Sequence, residues 1–383
     1  MSIRVLQFFS TLNNGGAENR MMDVYRCIDP AVVTFDFAVL HEGEHFFDNE
    51  IRAMGSEKYV LPDPRSGLIT NYVALVKFFR EHRFQAVHTH VSWYGGVVLM
   101  AAKQAGVPVR IAHARAAATP NRRWKEKVVC NLGKILIAFS ATQRMAISQE
   151  AAENIFGKRV VEKDRYLYIP NAIDQKKYVV LTSAERVALR ESLGISTEKK
   201  AYVTVANFRK PKNHTFLLDV AKAMQKKCSD FVLYLIGDGD LRSDIEKKIT
   251  DLGLENNVLL MGSRGDVPQI LCAFDGMIFP SIYEGLGGVV LEAQLVGIPA
   301  VVSSAIPKVV DVGIDMVEFV SLGAPPEEWA NIIMRKTDCF SWNQQAAIQA
   351  FKEAGYCIEE TTKQYLREYG IPEGTVLKAI KKQ

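Results

Sequence analysis

Short apolar runs alternate with helix-length amphipathic stretches along most of this 383-residue chain, and that rhythm leaves few folds open. Residues 4–9, 35–40, 59–61, 86–90, 109–113, 145–148 and 166–170 read as strands, with helices such as 69–81 and 95–104 between them. Strands separated by helices do not close as hairpins. They pair in parallel, and a parallel sheet needs helices on both faces, so the expectation is a doubly wound α/β domain. Beyond a polar helix at 183–193 the alternation starts afresh, with strands at 201–206, 231–236, 258–262 and 276–280. The chain is long enough for two such domains, expected at 1–175 and 176–356. After Ser304 the pattern is less regular: helices are expected at 325–336 and within 342–366, and a frayed tail from Lys378. Ligands of doubly wound domains bind beyond the carboxyl ends of strands, so the residues there are the informative ones.

Between Gly276 and Pro307 the only charged residues are Glu284 and Glu292, in a segment that reads strand, glycine turn, apolar helix, strand. An ionised carboxylate in such surroundings is costly unless something binds it. The turn Gly285-Leu286-Gly287-Gly288 lets backbone approach a ligand closely and turns the N–H groups of a helix N-terminus toward an anion. A diphosphate at the turn and hydroxyls at the two carboxylates together describe a nucleotide-sugar. The alternative is a buried helix whose Glu residues pair with distant Lys or Arg. Upstream, Arg209 and Lys212 stand three apart, fixed by Pro211 at a helix start, and are suited to straddle a diphosphate. Arg offers a bidentate fork and Lys a compact charge.

In the first half, strand 4–9 runs into Asn13-Asn14-Gly15-Gly16-Ala17-Glu18 and a helix, a unit of the kind that cradles phosphate or sugar. Gly-x-Gly-x-x-Gly is absent here and after 231–236, which excludes a dinucleotide fingerprint. Three histidines lie at strand ends: His88, His90 and His113. The first two share a strand face. With no third ligand evident in the sequence, they read as polar residues shaping a cleft and not as a metal site.

Apolar content of 48% and charged content of 23% are those of a soluble globular protein. Arg4 is followed only by the short run 5–9, which is no leader, and no apolar stretch reaches spanning length, so a cytosolic protein is expected. Cys27, Cys130, Cys228, Cys272, Cys339 and Cys357 are scattered without paired spacing and read as free, mostly buried thiols. Residues 1–175 carry 22 Lys and Arg against 17 Asp and Glu, while the remainder carries 25 against 26. The excess is densest at Arg110, Arg115, Arg122, Arg123, Lys125 and Lys127, around Trp124. That cluster suits an anionic lipid surface, a phosphorylated acceptor or a plain solvated helix face, and is too dilute for nucleic acid.

Glu284, seven residues and Glu292, preceded by Pro280-Ser281 and followed by Ala293-x-x-x-Gly297-x-Pro299, resembles the C-terminal signature of family 4 glycosyltransferases. The resemblance implies a GT-B fold, two Rossmann-like domains facing each other across a cleft, with the last helix crossing back so that 357–383 rejoins the first domain. It implies retention of anomeric configuration and no metal or other cofactor. By the same resemblance, Arg209, Lys212 and the backbone of Gly285, Leu286 and Gly287 hold the donor diphosphate. Glu292 takes the ribose and Glu284 the transferred sugar. Gly237, in Gly237-Asp-Gly239, turns over the nucleotide and Arg264 sits in the loop that holds the base. Gly15 and Gly16 line the cleft near the donor phosphates and the acceptor, and His113, in Arg110-Ile111-Ala112-His113, stands on the acceptor side of the reacting carbon. Pro170-Asn171-Ala172-x-Asp174 resembles the hinge element, with Ala172 in place of the usual Gly. Val87-His88-Thr89-His90 and Lys212-Asn213-His214 narrow the likeness to bacterial exopolysaccharide and capsular glycosyltransferases. That implies a peripheral enzyme at the cytoplasmic face of the membrane, a UDP-hexose or UDP-N-acetylhexosamine donor, and a glycan or polyprenyl-linked glycan acceptor. Two rival readings share the features so far: a non-hydrolysing UDP-N-acetylglucosamine 2-epimerase, and a non-enzymatic two-domain sugar-binding protein.

Overall fold

The computed structural model describes residues 2–63, 67–116, 123–178, 181–338 and 341–381. The chain divides into two units, Met1–Ile173 with Gly355–Gln383, and Asp174–Ala354.

The first unit is built on seven strands, β1 (Ile3–Phe8), β2 (Val33–Val39), β3 (Lys58–Val60), β4 (Ala86–Thr89), β5 (Val109–Ala114), β6 (Gln143–Ala146) and β7 (Leu167–Tyr168). They pair in parallel in the order β3-β2-β1-β4-β5-β6-β7. Every residue of β2 is buried, as a strand covered on both faces requires. Its one charge, Asp36, survives there because Arg4 Nε donates to it at 2.6 Å and the Glu57 backbone N–H at 2.9 Å. From β1 the chain winds one way to β3 and the other way from β4 to β7, so the topological switch lies between β1 and β4.

The returning segment belongs to this core. Tyr365, Leu366 and Tyr369 pack in one cluster with Val5, Phe35, Ile111 and Met145. As far as Lys381, the last described residue, the expected frayed tail is tied down instead. Ala379 is fully buried, Ile380 bridges Ile28, and the Lys381 N–H donates to the Cys27 carbonyl at 3.0 Å.

The second unit has six parallel strands, β8 (Lys200–Val205), β9 (Phe231–Ile236), β10 (Val258–Gly262), β11 (Gly276–Phe279), β12 (Ala300–Ser303) and β13 (Val317–Val320), in the order β10-β9-β8-β11-β12-β13. The last of these was not evident in the sequence. The switch here lies between β8 and β11. Their ladder holds only two pairs, Tyr202 with Gly276 and Val203 with Met277. Beyond it the Thr204 hydroxyl donates to the Ile278 carbonyl at 2.5 Å, and the strands part toward their carboxyl ends.

The basic cluster of the first unit is smaller than its sequence suggests. Arg122 and the side chain of Lys125 lie outside the described residues. Arg110 is spent on carbonyls, donating to Ser140 at 2.7 Å, and Arg115 turns into the fold. What remains opens the helix Trp124–Ser140, along which Trp124, Val128, Leu132, Ile135 and Phe139 are each 53–71% exposed. No helix among the described residues is long and apolar enough to cross a membrane. Cys27 and Cys272 are buried, but Cys130, Cys228 and Cys357 are half-exposed, against expectation; Cys339 lies outside the described residues.

Candidate active site

In the second unit the predicted residues gather where β8 and β11 part. Asn207–Lys212 follows β8 and Pro280–Gly287 follows β11, and the Ile282 N–H donates to the Pro211 carbonyl at 2.8 Å, tying one loop to the other. Lys212 Nζ lies 2.5 Å from Glu284 Oε1 and 5.6 Å from the centre of the Phe279 ring. Both charged groups are mostly covered. An ion pair by itself satisfies a carboxylate in apolar surroundings, so this contact fits the plain reading too. What marks it is its place, at the switch point, beside a glycine turn and unpartnered polar groups.

Gly287 adopts φ +89° and caps the helix Gly288–Leu295. A left-handed cap at a helix start favours glycine, and Gly288 has open space beside its Cα, so the first helical N–H groups stay approachable. Leu286 is buried beneath the turn, whereas Gly285 is half-buried. Glu292 is half-buried on the same helix. Arg209 is exposed and, among the described residues, its guanidinium has no partner. Gly237 packs flat on the β8 loop: at φ +145° any Cβ would collide with the Ala206 carbonyl. The Phe208 N–H donates to the Asp238 carbonyl at 2.9 Å, which locks these two loops together. Arg264 lies in the loop after β10, whose last residue, Gly262, accepts from the Gly237 N–H at 2.8 Å, and its fork is closed on Asp266 at 2.6 and 2.8 Å.

Two polar groups in these loops were named in the sequence only as parts of motifs and given no role there. The buried His214 imidazole, edge-on to Phe208, has neither ring nitrogen partnered among the described residues, and Ser281 Oγ is likewise buried and alone. Burial, then Lys212, pushes the His214 pKa down to about 4. A His directly after Lys-Asn and a Ser ahead of the acid were the available signals.

In the first unit, His113 ends β5 and meets His88 and His90 at the end of β4. One ring nitrogen from each of the three lies within 4.8 Å of the others, so the third imidazole missing from the sequence reading is present. Five of the six ring nitrogens are already engaged. His88 Nε2 is 2.9 Å from His113 Nδ1, His88 Nδ1 is 2.9 Å from the Tyr369 hydroxyl, His90 Nε2 is 3.0 Å from Gln7 Oε1, and Arg115 Nε donates to His90 Nδ1 at 2.8 Å. A guanidinium pointing into the group also opposes a cation there. Only His113 Nε2, itself buried, has no partner among the described residues. Burial first, with Arg115 adding to it, holds all three pKa values well below the ordinary imidazole range, so the rings are neutral near pH 7.

The Gly15-Gly16 turn starts the helix Gly16–Arg26 and shares Arg115 with the histidines, since Arg115 acts on the Glu18 carboxylate and donates to Asn171 at 2.8 Å. Glu18 folds back against Gly15, and burial raises its pKa. An acid already at this helix start suits hydroxyls better than phosphate.

Two family models match the chain, one described as a glycosyl transferase 4-like domain over residues 15–172 and one as glycosyl transferases group 1 over residues 199–336. EpsF of Bacillus subtilis, which bears the name of a glycosyltransferase, is 31% identical over 373 residues, 96% of either chain. The UDP-Gal:alpha-D-GlcNAc-diphosphoundecaprenol alpha-1,3-galactosyltransferase of Escherichia coli is 30% identical over 238 residues, 61% of either chain. Among solved structures, Anabaena HepE in complex with UDP-glucose superposes with a TM-score of 0.77 at 21% identity, over 96% of this chain and 99% of that one.

Proposed function

This chain belongs to the family 4 glycosyltransferases of GT-B fold, and from that premise we propose that it moves a sugar from UDP to a hydroxyl of a glycan or polyprenyl-linked glycan in exopolysaccharide synthesis. Membership of that family sets aside the epimerase and the non-enzymatic sugar-binding protein. The observation that carries the donor assignment is the meeting of Lys212 and Glu284 where β8 and β11 part. Lys212, the unpartnered Arg209 and the N–H groups after Gly287 take the diphosphate and stabilise its charge as it leaves, which assigns that task to protein groups with no metal. Charge-assisted contacts of about 1.5–3 kcal/mol each supply much of the roughly 8 kcal/mol of micromolar binding. Glu284 accepts from hydroxyls of the transferred sugar and Glu292 from the ribose. Gly237 and Arg264 flank the nucleotide, Gly15 and Gly16 line the sugar side, and His113 serves the acceptor side. Retention follows from front-face attack, with the leaving phosphate as base.

The choice of UDP is supported by the relatives: HepE was solved with UDP-glucose, and the Escherichia coli enzyme is named for UDP-Gal and a lipid-linked acceptor. The chain works at the cytoplasmic face of the membrane, where it rests by the exposed stripe of the helix Trp124–Ser140, flanked by Arg123 and Lys127. A thermal-shift panel of UDP-, GDP- and ADP-sugars tests the donor. UDP-sugars should raise the melting temperature by mass action, and a response confined to GDP- or ADP-sugars would contradict the reading. Transfer should also survive a chelator and give a product with the anomeric configuration of the donor.

A further inference from the structure

The buried polar chain around His113 has a direction that can be read from its fixed donors. Arg115 only donates, so His90 Nδ1 accepts from it and the single N–H of a neutral His90 lies on Nε2. That N–H donates to Gln7 Oε1, and the Gln7 amide N–H donates onward to the Tyr369 hydroxyl oxygen at 3.0 Å. The Tyr369 hydrogen then has His88 Nδ1 as its acceptor. His88 therefore carries its N–H on Nε2 and donates to His113 Nδ1, which leaves the N–H of His113 on Nε2. The opposite direction for the last two links strands the Tyr369 O–H and His113 Nε2 together, in a fully buried place. The forward direction leaves a single group of this chain of bonds unsatisfied, the His113 Nε2–H, and a buried donor left open calls for an explanation, a catalytic role among them.

We infer that this chain holds His113 in one tautomer so that its Nε2–H donates a hydrogen bond to an oxygen of the bound sugar, with Tyr369, His88 and Gln7 as positioning residues anchored by Arg115. His113 is then a fixed donor and not a base. Its Nδ1 lone pair is occupied by His88, and its Nε2 has no lone pair to offer. The inference also gives the returning segment a task besides packing, since Tyr369 closes the chain between β1 and β4. The tautomer rests on the hydrogen bonds alone, while the sugar as its partner rests on the function proposed above.

Histidine-selective 15N labelling of the full chain at pH 7.5, read in a long-range 1H–15N correlation, reports each tautomer directly. His113, assigned by its loss in His113→Gln, should be protonated at Nε2 and bare at Nδ1. Protonation at Nδ1 would overturn the inference. Tyr369→Phe keeps the ring and removes the link, so His113 should become a mixture of tautomers and transfer should slow about tenfold with calorimetric UDP affinity unchanged. A His113 spectrum unmoved in that variant, with its melting temperature intact, would equally overturn it. His113→Gln, whose amide N–H reaches the Nε2 position, should retain at least fivefold more activity than His113→Asn, and equal losses would remove the donor role. If no UDP-sugar is turned over at all, the function fails while the spectrum still decides the chain.

Discussion

Glu284 is held by Lys212, the cation proposed above to take the diphosphate, and this separates its part from that of the phosphate ligands. Glu284→Gln keeps the shape and leaves Lys212 free for phosphate, so UDP affinity should stay within about threefold while transfer falls about a hundredfold, consistent with loss of a buried charge-assisted contact. Parallel losses in both measurements would mean that Glu284 serves the diphosphate. His214 gives a second residue-scale test. Its ring nitrogens have no partner among the described residues and its protonation is suppressed, so His214→Phe should not lower the melting temperature. A drop in UDP affinity in that variant would place the imidazole against the nucleotide. Residues at this scale were legible where chemistry and isolation coincided: two acids alone in an apolar segment, and Arg and Lys pinned by a proline. Gln7 and Tyr369 were not, because their importance comes from sheet register and from a contact between residues 362 apart in the chain.

Among the elements, the decisive one is the pair of strands that part after two ladder steps, and its glycine loops are its weak points. Gly237→Ala forces a Cβ into a backbone carbonyl at a φ that only glycine adopts readily, which should cost about 2 kcal/mol or more. For a unit of this size that is a fall of about 4–8 °C in melting temperature, and an unchanged melt would show that the loop relaxes freely. The helix Trp124–Ser140 makes the opposite kind of test, on a surface. Its sequence is apolar on both sides, so the face of Gly133 and Ile137 that enters the fold could not be told from the face of Leu132 and Phe139 that stays outside. The sequence reading therefore weighed only its charges and Trp124. Leu132→Ser with Phe139→Ser should cut cosedimentation with vesicles containing anionic lipid at least fivefold and leave the melting temperature within 2 °C, as burial in a membrane interface demands. Undiminished vesicle binding would move the membrane contact elsewhere.

Among the described residues, burial lowers the pKa of five imidazoles, His45, His88, His90 and His113 in one unit and His214 in the other. Their folded pKa values lie below the unfolded value near 6.5. Below that pH the unfolded chain binds more protons than the folded one, so stability present above about pH 6.5 is lost as pH falls, by up to about 1.4 kcal/mol per unit for each group. Melting should drop progressively between pH 7 and 5, and His214→Phe should soften that slope; a flat profile would mean that these rings are protonated in the fold. Both doubly wound units were legible because strand and helix periods recur so regularly. The short strand β13 and the anchored tail were not, since Val317–Val320 lies in irregular sequence and Lys381 is fixed by a single backbone hydrogen bond to Cys27. The account stands on a nucleotide diphosphate bound where β8 and β11 part, and calorimetric titration of UDP into the wild-type chain and the Arg209→Ala, Lys212→Ala double variant tests it most directly. Micromolar binding that weakens at least a hundredfold, about 2.7 kcal/mol, with the melting temperature of the free protein preserved, is the predicted result. Equal affinity in the two proteins would contradict it.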